Sequence, residues 1–109
     1  MNINAGVDWM SINSNVDILK KIAEIERLKC GLLSSVSAFF EDSLNGGHVA
    51  DSMCDVLQNC YLLAAQQGVS FESLNKRTAE RLRVGILEND VNEADRTKQE
   101  LVRHLEGRY

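Results

Sequence analysis

The sequence predicts an all-α protein, a four-helix-bundle-like domain completed by homo-oligomerisation. Three observations predict it. Apolar residues recur at steps of three, four and seven over two long segments, which is the period of one helix face. The chain contains no proline, the residue that breaks helix interiors. Glycine and asparagine gather at helix-length intervals, where chain reversals are needed.

Residues 1–13 are rich in Asn and Ser and show no sustained period. They read as an N-terminal arm that docks through Trp9 and Met10, leaving residues 14–109 as a single all-α domain. Ser14 or Asn15 reads as the N-cap of the first helix, with Asp17 in its first turn. From Val16 to about Leu44, the residues Ile18, Ile22, Ile25, Leu32, Val36 and Phe39 form nearly a heptad seam, and Leu28 widens it. Lys29 falls on this seam. Asn45-Gly46-Gly47 ends the helix, because these residues tolerate positive φ.

A second helix is expected over Ala50 to Gln67. Val49, Met53, Val56, Cys60 and Leu63 make its stripe, and Leu57, Tyr61 and Ala64 thicken it. Gly68 reads as the glycine just past its end, and Ser70 as the cap of a third helix from Phe71 to about Val84. Gly85 and Asn89-Asp90 mark a break, and Asp90 with Glu93 fits a capping box. A fourth helix then runs to about Glu106 with Val91, Ala94, Leu101 and Leu105 on one side. One long helix through 71–107 is the alternative.

Composition narrows the function classes. A chain of 109 residues holds one core, and 44% hydrophobic with 26% charged residues is a globular balance rather than a disordered one. The net charge of −4 disfavours nucleic acid and anionic membranes as partners, since both need a basic surface. No apolar run reaches the roughly 18 residues of a membrane span. Met1 to Met10 carries no positive charge and does not read as a secretory signal. Cys30, Cys54 and Cys60 form an odd set without a CxxC pair, so they are expected to be reduced core thiols of a cytoplasmic protein. Zinc is not expected, because His48 and His104 stand far from paired thiols.

From Asp51 through Asp55-Val56-Leu57, an apolar helix ends in Leu63-Ala64 and Gly68, and a segment with Lys76 and Arg77 follows, continuing to Arg83. This stretch, about a third of the chain, resembles the second half of the MazG-like all-α nucleoside triphosphate pyrophosphohydrolases. The resemblance implies Glu-x-x-Glu on one helix and Glu-x-x-Asp on the next, gathering magnesium through oxygen ligands on adjacent turns. It also implies water activated for attack between the α- and β-phosphates. Asp55 matches the final acid of that set. Ser52 stands where the preceding glutamate is expected, with Asp51 beside it. Lys29-Cys30-Gly31-Leu32-Leu33 resembles Glu-Val-Gly-Glu-Leu, so Lys29 and Leu32 replace both glutamates of the earlier helix.

Each candidate site has a plain reading beside the functional one. Asp51 and Asp55 are either a remnant cation site or exposed acids near a helix N-terminus. Lys76, Arg77, Arg81 and Arg83 either hold phosphates, as the resemblance implies, or pair with Glu72 and Glu80 on a solvated face. Lys29 either snorkels to the edge of the seam or forms an ion pair with Asp55 in place of the metal. Gln58 and Asn59 contact a base or supply polarity at a core or interface. Cys54 and Cys60 lack a nearby base for thiol catalysis, and His104 suits the C-terminal end of the last helix.

Two functions follow as expectations. The first is a non-catalytic binding or regulatory protein with no cofactor, acting as a homodimer or homotetramer on a protein or nucleotide partner. Small acidic helical proteins of phages and mobile elements supply the analogy. The second is a divergent magnesium-dependent pyrophosphohydrolase, for which Glu24, Glu26 or Glu41 must converge on Asp55.

Overall fold

The computed structural model describes residues 9–86 and 93–107, with side chains from residue 14 onward. It holds α1 (Trp9–Asn45), α2 (Val49–Gln66), α3 (Phe71–Val84) and α4 (Glu93–Leu105), with no strand among the described residues. No helix among these residues is long and apolar enough to cross a membrane. Contacts divide the chain into two compact units, residues 1–67 and 68–109. The first contains α1 against α2, the second α3 against α4.

Helix α1 starts at Trp9 and spans 37 residues, so the cap expected at Ser14 or Asn15 is not used. Nothing between Trp9 and Ser14 forces a break, and Ser or Asn inside a helix costs only about 0.5 kcal/mol each. The hairpin turn follows at Gly46, whose φ of 68° is the left-handed conformation glycine adopts without strain.

The two helices of the first unit run antiparallel. Asp42 meets Ser52 and, further along, Ser35 meets Asn59, so each step up α2 is a step down α1. That register brings the end of α2 level with Leu28. The preceding part of α1, about 19 residues or roughly 28 Å, extends past α2. Here the expected seam is corrected. Leu28 and Ser35 are the buried positions of α1, flanked by part-covered Ile25, Leu32, Val36 and Phe39, while Ile18 and Ile22 are exposed. The stripe is kept from Ile25 to Phe39 with its centre shifted toward Leu28 and Ser35. Ile18 and Ile22 lie on the part of α1 that runs past α2, and Lys29 lies outside the seam. Helix α2 answers with Val49, Ser52, Val56, Asn59 and Leu63, whereas Met53, Leu57 and Cys60 point outward. The physical reason is polar: the hydrogen bonds of Ser52 and Asn59 set the rotation, and small side chains let the helices close.

In the second unit Gly68 adopts φ 78°, and the Ser70 hydroxyl caps α3 by accepting from the Ser73 amide at 3.0 Å. We expect Ser70→Ala to destabilise this unit by about 1 kcal/mol, read as a lower denaturation midpoint. A midpoint unchanged from the parent would show that the cap is not needed. Helix α3 ends at Val84, capped by Gly85, so residues 71–107 hold two helices rather than one. Arg81 and Arg83 in its last turn and Glu93 and Asp95 in the first turn of α4 suit the helix dipoles. Ala79 is buried on α3, and Asp95 and Val102 on α4. The buried side of α4 therefore centres on Val102 rather than on Ala94 and Leu101, both exposed. Arg83 donates to the Glu106 carboxylate, tying the end of α3 to the residue after α4. The expected capping residue Asp90, like Val91, lies outside the described residues.

Candidate functional site

The residues expected to carry chemistry in the first unit lie on α1 and α2. Asp51 and Asp55 are both exposed on α2, Asp51 in its first turn. Asp55 borders a shallow groove of about 330 Å³ with Gly31, Ser34 and Ser35 from α1 and Gln58 and Asn59 from its own helix.

Asn59 organises this groove. Its amide donates to the Asp55 carbonyl at 3.0 Å and reaches the Ser35 hydroxyl at 3.4 Å, while Ser35 donates to the Leu32 carbonyl at 2.9 Å. Gly31 makes the approach feasible, since a Cβ there would lie 3.2 Å from Asn59 Oδ1. Asn59 thus supplies polarity within the chain's own helix pair, one of the two roles read from the sequence.

Lys29 does not reach Asp55. Its ammonium lies 2.8 Å from Glu26 on the same helix, and the carboxylate beside it raises the Lys29 pKa, chiefly through that hydrogen bond. Among the described residues no ion pair joins Lys29 to Asp55, because Lys29 stands outside the α2-facing seam. Glu24 is likewise taken by Arg27 one turn on, which lowers the Glu24 pKa.

Ser52 is 4% exposed and donates to the Asp42 carboxylate across the hairpin, a partner that spacing alone did not reveal. The available signal was Asp42 itself, seven residues after Ser35 and three after Phe39, on the face that proves to meet α2.

The three cysteines are free and exposed rather than core residues. Cys54 and Cys60 line an open apolar groove of about 440 Å³ with Phe39, Met53, Val56 and Leu57. The polar seam explains this, because turning Ser52 and Asn59 inward turns neighbouring thiols outward. No group of three His, Cys, Asp or Glu side chains among the described residues is placed to hold a metal ion.

In the second unit Lys76, Arg77 and Arg81 are exposed on α3. Arg77 and Arg81, one turn apart, border a shallow depression of about 400 Å³ with Glu80 and Val84. Among the described residues no ion pair ties Lys76, Arg77 or Arg81 to Glu72 or Glu80, while Arg83 is engaged by Glu106. His104 lies in the last turn of α4, the end that favours positive charge.

With this geometry stands a match to the MazG-like family over residues 18–98, most of the chain. The chain belongs to the MazG-like family. The match begins on α1 and ends within α4, so it reaches well beyond residues 51–83. No curated protein and no solved structure matches the chain.

Proposed function

We propose that this MazG-like helical domain is a non-catalytic binding or regulatory protein, working through homo-oligomerisation and a protein or nucleotide partner. One observation carries the reading. At the four positions that the resemblance sets against the family's metal-gathering acids stand an ammonium, an isobutyl group, a hydroxyl and a single carboxylate: Lys29, Leu32, Ser52 and Asp55.

This donor set does not fit magnesium. Hard divalent cations are held by several oxygen ligands, usually carboxylates with the substrate's phosphates. Leu32 offers no donor and Lys29 brings a positive charge. Ser52 is buried with its hydroxyl given to Asp42. Asp51 can add one carboxylate beside Asp55, but Glu24 and Glu26 are held by Arg27 and Lys29 on α1. The chemistry of the remaining residues is recognition. Arg77 and Arg81 offer paired guanidinium groups of the kind that bind phosphate oxygens.

The test is pyrophosphate release from a panel of nucleoside triphosphates with magnesium or manganese. The expected result is no turnover, with nucleotide binding that Arg77→Ala weakens by about 10-fold, the loss of one charge-assisted contact. Turnover abolished by Asp55→Ala would overturn the reading and make the chain a divergent pyrophosphohydrolase. Absence of nucleotide binding would leave a protein as the partner within the same reading.

A further inference from the structure

The face of α1 turned away from α2 carries a second heptad that the hairpin leaves open from Leu19 to Leu33, with half-buried Val36 at its edge. Leu19, Ile22, Glu26, Lys29, Leu33 and Val36 follow at steps of three, four, three, four and three, the spacing of one helix face built for a helical partner. At 100° per residue this stripe lies roughly a third of a revolution from the seam of Leu28 and Ser35. Leu19, Ile22 and Leu33 are 65%, 51% and 73% exposed. Phe40, one step beyond Val36 in the same pattern, is exposed as well.

The stripe is complementary to itself when reversed. A second α1 laid antiparallel about the point between Arg27 and Leu28 sets Leu19 on Val36, Ile22 on Leu33 and Glu26 on Lys29. All six positions close in pairs, apolar on apolar and acid on base. A parallel arrangement instead sets Glu26 on Glu26 and Lys29 on Lys29, placing like charges together at the centre. The 2.8 Å contact between Glu26 and Lys29 within one chain shows both charges side by side on this face. Two copies would turn that pair into a four-charge cluster of alternating sign flanked by apolar layers.

We propose that this stripe is the docking surface for a second copy of the chain, in an antiparallel α1–α1 pairing centred between Arg27 and Leu28. The inference rests on the homo-oligomer of the proposed function and gives it a face, a direction and a register. Lys29 then acquires a role: it selects the antiparallel partner instead of facing Asp55.

The test uses the full chain with Cys30, Cys54 and Cys60 replaced by serine, its helicity checked by circular dichroism. Under mild oxidation, the double variant Ile22→Cys/Leu33→Cys is expected to form disulfide-linked dimers, whereas either single variant is not. Crosslinking of the singles would reveal pairing of like positions and overturn the proposal. In the parent chain, Lys29→Glu is expected to weaken dimerisation by about 10-fold through like charges. The exchange Glu26→Lys/Lys29→Glu is expected to restore it, and failure to restore would also overturn the register. A dimer by light scattering that ignores both series refutes this surface while leaving the oligomeric reading in place. A monomer at all concentrations refutes both.

Discussion

Leu28→Ala is expected to destabilise the α1–α2 hairpin by about 2–5 kcal/mol, the range for truncating a buried leucine. Leu28 is 3% exposed and is the buried apolar side chain of the first unit among the described residues. It sits where α2 ends, so it closes the hairpin at the point where α1 continues alone. Removing its isobutyl group gives up transfer free energy and leaves a space that the part-covered neighbours Ile25 and Leu32 only partly fill. The measurement is urea denaturation followed by circular dichroism, at a concentration where any oligomer has dissociated. Leu33→Ala on the same helix is the control. At 73% exposure it should change stability by no more than about 0.5 kcal/mol in the separated chain. A Leu28→Ala midpoint within error of the control would show that the seam is not where the structure places it.

Ser52→Ala should follow in size, at about 1.5–3 kcal/mol, the span for a hydrogen bond to a charged partner. Ser52 is buried and gives its proton to Asp42, joining the last turns of α1 to the first turn of α2. Alanine leaves that carboxylate partly covered without its donor. Because Asp42 is only half-buried, water recovers part of the loss, which places the expectation below that for Leu28. A double-mutant cycle separates the contact from the other consequences of each change. With Asp42→Ala already in place, adding Ser52→Ala should cost about 1 kcal/mol less than it does alone. Strict additivity of the two substitutions would exclude the contact as a source of stability.

Both expectations show why the site was harder to read than the helices. Periodicity reports which residues are apolar, so it placed the α1 stripe on Ile18, Ile22, Ile25, Leu32, Val36 and Phe39 with Leu28 beside it, and of these only Ile18 and Ile22 are exposed. The hairpin centres instead on buried Leu28, Ser35 and Ser52 and half-buried Asn59, three of the four polar. Their value lies in hydrogen bonds across the helix pair, and a one-dimensional pattern contains no information about such partners. The same limitation separated Lys29 from Asp55. Matching the family's positions placed one on each helix, but the rotation of α1 gave Lys29 to Glu26. The cysteines went outward for the same reason.

What the sequence determined unaided was local. Helix period, absent proline, Gly46 and Gly68 at chain reversals and Ser70 as a cap are properties of a few neighbouring residues, and they located α2 and α3 within one residue. The family, too, was written in short-range pattern. What only the tertiary structure decided was rotation: which side of α1 meets α2, and so which side is left exposed. That choice belongs to contacts between residues far apart in the chain, where a few hydrogen bonds and one close approach at Gly31 outweigh the larger but less directional pull of the exposed leucines.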